Sequence, residues 1–447
     1  MINFRQYPNC TKIVIPSDIS LSTTNFSGAF GEMQNLQYLD IDKNIENQID
    51  VISNGSKDRG ICYNCKNLIK TTICGDKVIR MSYAYRNCTN LTTAVCGDNV
   101  TEMWGAYYGC TNLTTAVCGP NVADMYDAYS FCTNLTTAVC GDKVFDMGNA
   151  YRNCTNLTTA VSGPNVTNMY NAYYNCYNLT TAACGDKVTD MAWSYYKCIN
   201  LTTAACGDKV TDMSSAYYNC TNLTTAVSGP NVTNMYNAYK DCTNLTTAAC
   251  GPNVTNMYSA YQNCTSLITA ICGPKVTSMV YAYSNCTNLT TAVCGPKVTS
   301  MGIAYQDYFG AYYRCPNIQG NSYFYSPNVN VARGCFKGRN TSNMLNIYVQ
   351  ENSTTMNTCL ISNTWSLTGS SITWTNDSTN NRYYNTQANI YIYPVANVYK
   401  AEETAMLQDF NYNDNNDGTY TLTGWKETYQ GKPSTEMVIP DSPNIIL

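Results

Sequence analysis

Twenty-five cysteines and no histidine set the chemistry open to this chain of 447 residues. The cysteines fall into two ladders. One runs Cys88, Cys110, Cys132, Cys154, Cys176, Cys198, Cys220, Cys242, Cys264 and Cys286, always 22 apart. The other precedes a glycine, at Cys74, Cys96, Cys118, Cys140, Cys184, Cys206, Cys250, Cys272 and Cys294, with Ser162 and Ser228 replacing cysteine in two units. Bridges between the ladders would strand Cys154 and Cys220, so both ladders are expected to be reduced, buried, small apolar residues. Zinc needs paired, converging ligands. Only Cys62-Tyr63-Asn64-Cys65 has that short spacing, and no second pair accompanies it. No metal or cofactor is therefore expected. Lack of histidine removes the commonest general base. The carboxylates Asp377, Glu402, Glu403, Asp409, Asp414 and Asp417 gather near the C-terminus without a spacing that demands acid–base work. The Asp414–Asp417 turn lacks the bidentate Glu of a calcium loop. No residue is assigned a catalytic role, and an enzyme is not expected.

The elements that position these side chains are repeats. The pattern V-T-x-M-x-x-A-Y-x-x-C-T-N-L-T-T-A-x-C-G-[DP]-[NK] recurs every 22 residues without slippage from Cys88 to Cys286. A fixed short period implies a solenoid, each unit burying its apolar face only against its neighbours. Apolar residues make up 44% of the chain and charged ones 13%, so Asn, Thr, Ser and Tyr must cover the surface. A net charge of −4 argues against nucleic acid or an anionic membrane as partner. No stretch is apolar for long enough to span a bilayer. Residues 1–20 show no secretion signal, which suggests folding in the cytosol. N-x-T triplets on the repeat core are not read as glycosylation sites, since a glycan would block stacking.

The expected organisation is a cap with degenerate repeats over 1–60, a regular solenoid over 61–305, degenerate C-terminal repeats or a cap over 306–354, and a small β-rich domain over 355–447. Residues 42–60 read as an inserted loop, 401–410 as a short helix, and Phe410–Tyr412 with Tyr420–Leu422 as a hairpin.

Within one unit, Leu91, Ala94 and Cys96 should point inward from a strand, with Thr93 and Val95 outward. Gly97 makes the turn, Val100 and Met103 return to the core, and Ala106 with Tyr107 sits on a short helical or 3₁₀ turn that brings Cys110 back inside. The tyrosines from Tyr85 to Tyr305 should stack in one buried row, their hydroxyls meeting an Asn of the C-T-N-L segment. Strands should sit ~4.8 Å apart. Because stacking occupies the inward residues, the candidate binding face is Thr93, Val95, Thr115, Val117, Thr137 and Val139.

The unit resembles the BspA-like (treponemal) leucine-rich-repeat family, whose pattern is close to V-x-x-I-x-x-A-F-x-x-C-x-x-L-x-x-V-x-I-P. The resemblance covers about residues 25 to 350, with Tyr for Phe, Cys for the strand Ile, and 22 residues rather than 23. It implies a β-rich leucine-rich-repeat solenoid, one strand and one short helical turn per unit, used for adhesion and protein or glycan contact. The segment Asn415 to Trp425 and the lack of an export signal are similar to bacteriophage virion proteins. The expectation is a non-enzymatic structural or adhesive protein, a phage fibre or surface component assembled in the host cytoplasm. Its partners would be other virion proteins or a host cell-surface protein or glycan, with homo-oligomerisation left open. The alternative is a bacterial cell-surface adhesin or interaction scaffold.

Overall fold

The computed structural model describes residues 3–71, 73–302, 310–329, 334–360, 373–396, 398, 410–414, 420–425 and 445–446. Strands β1 (Lys12–Ile15), β2 (Tyr38–Ile41) and β3 (Lys70–Thr71) form a parallel sheet in that order, with helix α1 (Lys43–Glu46) after β2. The loop expected over 42–60 is corrected here. Asp42 caps α1 by accepting from the Asn44 amide, Asn25 bridges Val51, and Ile45, Ile49 and Ile52 are fully buried. Only residues 54–59 are exposed as a loop. Three isoleucines on one side of this segment make it an irregular coil of the solenoid rather than an insertion.

Through the regular array each coil has two walls joined across a core. The turn wall is the better hydrogen-bonded one. Alternate amides reach the next coil: Met103 N to Asp124 O at 2.9 Å, then Gly105 to Tyr126, Tyr107 to Ala128 and Gly109 to Ser130, each at 2.8 Å. Within the coil, Ala106 N donates to Met103 O, Tyr108 N to Gly105 O and Cys110 N to Tyr107 O. These are successive tight turns. The expected helical or 3₁₀ turn survives only as these isolated i→i+3 turns: among the described residues no helix lies between 61 and 302. The reason is backbone sign. Two residues per coil, four apart, adopt positive φ, as in Asn149 (55°) with Asn153 (60°) and Asn171 (56°) with Asn175 (60°). A left-handed residue at every fourth position stops a right-handed helix from propagating.

The wall expected to be a regular strand is reduced to single parallel bridges, Thr115 to Thr137 to Thr159 to Thr181 to Thr203, in a register of 22. Its direct ladder bonds are long, with Thr136 N to Thr114 O and Thr158 N to Thr136 O both at 3.3 Å. The tyrosine hydroxyl explains this. Tyr107 donates to Val95 O and accepts from Val95 N at 2.8 Å, and Tyr129 and Tyr151 do the same to Val117 and Val139 at 2.9 Å. With its one amide donor engaged inside the coil, that residue has none left to give to the next one. The tyrosine partner is thus strand backbone twelve residues upstream, not an Asn of C-T-N-L.

Leu, Val, Met, Ala, Tyr and the first cysteine ladder fill the core, at 0% exposure in coil after coil. The tyrosine rings lie 5.3–5.7 Å apart with planes within 12° from Tyr85 to Tyr283. That exceeds a strand spacing because the rings are offset-stacked. Tyr305 lies outside the described residues. Tyr312 stacks on Tyr283 at 5.6 Å and carries on the row, because it keeps the Tyr-x-x-Cys spacing to Cys315 after the duplicated Ala-Tyr element.

All 25 cysteines are free thiols. First-ladder thiols donate to the tyrosine carbonyl of the preceding coil, Cys132 Sγ to Tyr107 O at 3.1 Å. In the second ladder the sulfur is an acceptor: Gly97 N donates to Cys74 Sγ at 2.9 Å and Gly207 N to Cys184 Sγ at 3.1 Å. Ser162 and Ser228 accept from Gly185 N (3.2 Å) and Gly251 N (3.1 Å) in the same way, so serine keeps the acceptor at those two coils. Thiol counting on denatured, non-reduced protein is expected to find most of the 25 reactive. A count below half would contradict this packing.

Beyond the array, β4 (Gly320–Phe324), β5 (Leu345–Gln350), β6 (Thr375–Asp377), β7 (Arg382–Asn385) and β8 (Ile390–Val395) form a sheet in the order β4-β5-β8-β7-β6, with helix α2 (Thr354–Cys359) after β5. β4, β5 and β8 are parallel, and a Cys294–Phe324 bridge joins them to the array. Pairing of β5 with β8 runs across position 355, and Tyr323, Tyr348 and Tyr393 stack at 4.9 and 5.0 Å over it. Arg339 fastens the same junction. Its buried guanidinium donates to carbonyls of Asn340, Asn343, Ala388 and Asn389, and burial lowers its pKa to about 10. Strands β9 (Phe410–Asp414) and β10 (Tyr420–Trp425) pair antiparallel as the expected hairpin, with β11 (Ile445–Ile446) parallel to β10. The helix expected over 401–410 falls on residues 401–409, outside the described set, as does most of the Asp414–Gly418 turn.

Candidate functional site: two walls of the solenoid

On the strand wall, Thr93, Thr115 and Thr137 are exposed, and they recur as one column in bridge register from Thr115 on. Val95, Val117 and Val139 are half-buried, held by the tyrosine hydroxyls, so only the threonines of the candidate face are freely presented. The neighbouring threonines are occupied locally: Thr136, Thr158 and Thr180 donate to the carbonyl of the threonine 22 residues before. This wall is uniform, uncharged and shallow. A further depression of about 530 Å³ is lined by Lys209, Thr211, Asn231, Thr233, Asn253, Thr255 and Lys275, where Thr233 and Thr255 also donate to the backbone of the coil before.

The turn wall has a different character, which the sequence reading passed over. Tyr107 crosses the core from it with Ala106 buried beside it, so Tyr108, on its other side, faces outward. There cations sit on aromatic rings: Arg86 over Tyr108 at 5.2 Å, Arg152 over Phe131 and Tyr174 at 5.5 and 5.3 Å, Lys197 over Tyr196 and Lys240 over Tyr218 at 5.5 Å. Tyr174, Tyr196 and Tyr218 stack at 4.5 and 4.8 Å. Trp104, Tyr170 and Tyr236 are 43%, 40% and 40% exposed. Burial, reinforced by Asp241, pushes the Tyr218 phenol up to about 12. Burial also raises Asp127, against the pull of Ser130 and Arg152. The signal was available: these are the x positions of M-x-x-A-Y-x-x-C.

Of the C-terminal carboxylates, Asp377 accepts from the Asn380 side chain at 2.7 Å and pairs with Arg382 at 3.0 Å, and Asn380 first, then Arg382, hold its pKa below the usual range. Glu402, Glu403, Asp409 and Asp417 lie outside the described residues, and for Asp414 only the backbone in β9 is described. Among the described residues no group of three or more Cys, Asp or Glu is placed to hold a metal ion, and no helix is long and apolar enough to cross a membrane.

A stack of near-identical coils with one tyrosine row and one leucine row through the core defines a leucine-rich-repeat solenoid. The family described as BspA type leucine rich repeat region matches residues 2–136, 56–180, 125–246 and 214–305, and the chain belongs to it. Among solved structures the chain is similar to a leucine-rich repeat protein from Bacteroides ovatus, at 14% identity over 70% of this chain and 86% of that one, with a TM-score of 0.50. It is also similar to a leucine rich cell surface protein from Faecalibacterium prausnitzii, at 19% identity over 66% and 84%, with a TM-score of 0.39. No curated protein matches the chain.

Proposed function

We propose that this chain is a non-enzymatic contact protein of the bacterial cell-surface type, a solenoid scaffold that presents a long wall to a protein or glycan partner. Membership of the BspA-type family supports the reading. The observation that carries it is the division of labour in each coil. The Leu, Val, Met and first-ladder Cys columns and the Ala-Tyr pairs are buried by their neighbours, so the outward side chains are the ones free to act. The column Thr93, Thr115, Thr137 suits a periodic partner, each contact weak and the array supplying avidity. A virion fibre or surface component is the second reading, favoured by the likeness of the Asn415–Trp425 segment to phage structural proteins.

Antibody against the array separates the two. Labelling of intact producing cells supports the cell-surface reading, and labelling confined to purified particles supports the virion one. Antigen found only inside cells, with neither surface labelled, overturns both.

A further inference from the structure

Because the units are near copies, comparing them within the chain separates framework from variation. The strand wall hardly varies. The second threonine of L-T-T-A is the same residue at 93, 115, 137, 159, 181, 203, 225 and 247. Four positions per coil escape this uniformity: the two between Met and Ala, and the two between Tyr and Cys. They read Ser-Tyr and Arg-Asn at 82–83 and 86–87, Trp-Gly and Tyr-Gly one coil on, and Ala-Trp and Tyr-Lys at 192–193 and 196–197. Small members such as Ser82, Ser130, Ser215, Ser259 and Ser284 are buried, whereas the Tyr, Trp, Arg and Lys members face out of the turn wall.

Two features of this variation point to recognition. The first is composition: the members that reach the surface are mostly Tyr and Asn, with Trp, Arg, Lys and Asp added. Tyr, Ser, Gly and Asn are the residues of antibody contact loops, and Tyr, Trp and Arg dominate interface hot spots, where Thr, Ser and Val are scarce. The second is strain. Half of the variable positions have left-handed backbone, which favours Gly or Asn, yet Tyr83 (φ 58°), Phe131 (64°), Trp193 (61°) and Tyr281 (57°) occupy them. Large rings kept where they cost stability indicate that the surface, not the fold, sets their identity.

Periodicity decides the partner class. A linear polysaccharide repeats, and a wall matched to it would repeat as well, as the threonine column does. The turn wall differs from coil to coil and can only match an aperiodic surface. We infer that the turn wall is a variable, paratope-like contact surface for a folded protein partner, with the strand wall as its constant framework. This rests on the reading of the chain as a contact protein and names its surface and the class of its partner.

The test pans a displayed library of folded domains with the full chain, then titrates each purified enriched domain against four proteins. These are the unaltered chain, the turn-wall variant Tyr108→Ser/Arg152→Ser/Tyr196→Ser, the strand-wall variant Thr115→Asn/Thr137→Asn/Thr159→Asn, and a deletion of residues 159–180. That deletion removes one whole coil, so the strand wall keeps its pattern while the turn-wall pattern is shifted. Circular dichroism confirms folding, and Tyr196→Ser alone replaces the triple variant if that one fails to fold. Dextran, polygalacturonate and chondroitin sulfate are titrated in parallel. The inference expects a bound domain whose affinity falls about tenfold or more in the turn-wall and coil-deletion proteins, with little change in the strand-wall variant. It is overturned if no domain binds, if loss follows the threonines and not the turn wall, or if only the polysaccharides bind and the deletion is tolerated. Surface labelling with an indifferent turn wall would sink this inference alone; absent labelling would sink the contact reading beneath it.

Discussion

Replacing Tyr173 by alanine is expected to destabilise the array by about 4–5 kcal/mol, and replacing it by phenylalanine by about 2–3 kcal/mol. The ring lies between Tyr151 and Tyr195, at 5.6 and 5.4 Å, and is fully buried. Its removal leaves a cavity in the middle of a stack whose stability is a sum of coil-to-coil contacts. The phenylalanine change removes only an oxygen, but that oxygen donates to Val161 O and accepts from Val161 N at 3.0 Å. Both backbone groups then lose their partner in a half-buried setting, and the strand wall has no second ladder to take them up. Guanidinium denaturation of the two variants checks the ordering. A phenylalanine variant within about 0.5 kcal/mol of the unaltered chain would show that the hydroxyl does not hold the walls together.

Alkali should have the other large effect. Burial pushes Cys74, Cys140, Cys184 and Cys250 up to about 11 and Cys96 and Cys272 to about 12, and holds the core Tyr173 phenol well above its ordinary value. An unfolded cysteine titrates near ~8.5. Above that pH the unfolded chain releases protons that the folded chain retains, so the unfolded state is favoured. The contribution of these raised groups is complete below about pH 8 and is lost as pH climbs toward 11 and 12. Denaturation midpoints should therefore hold steady from neutral pH to about 8 and then fall steeply. Phenolate absorbance of the core tyrosines should appear together with loss of the fold, not before it. Unchanged stability at pH 11 would contradict the burial of the thiols.

What could be read from the chain was what repeats. The spacing of Cys88 to Cys286 gave the coil, its in-register stacking and the buried Tyr, Leu and Met columns, and Ser162 and Ser228 argued for free thiols. What could not be read was what depends on backbone sign and on partners across the core. Nothing in A-Y-x-x-C says that the residue before cysteine is left-handed until Gly109, Asn153 and Asn219 are set side by side, and without that the segment looks like a helical turn. The partner of Tyr107 was missed because Val95 offers it backbone, which any residue type carries. The isoleucines at 45, 49 and 52 were hidden among polar neighbours, and β8 looked separate because about forty residues divide it from β5 in sequence while the sheet sets them side by side. The turn wall went unread for a different reason. Attention to what was constant passed over the positions that vary.

The claim beneath both the fold and the contact surface is that the tyrosine hydroxyl ties the two walls into one rigid coil. Amide hydrogen exchange at Val95, Val117, Val139 and Val161 tests it most directly, since these amides donate to Tyr107, Tyr129, Tyr151 and Tyr173 at 2.8–3.0 Å. They should be protected to nearly the depth of the turn-wall amides, and Tyr173→Phe should release Val161 while leaving Val95 protected. Rapid exchange of all four in the unaltered chain, or no change at Val161 in the variant, would contradict it.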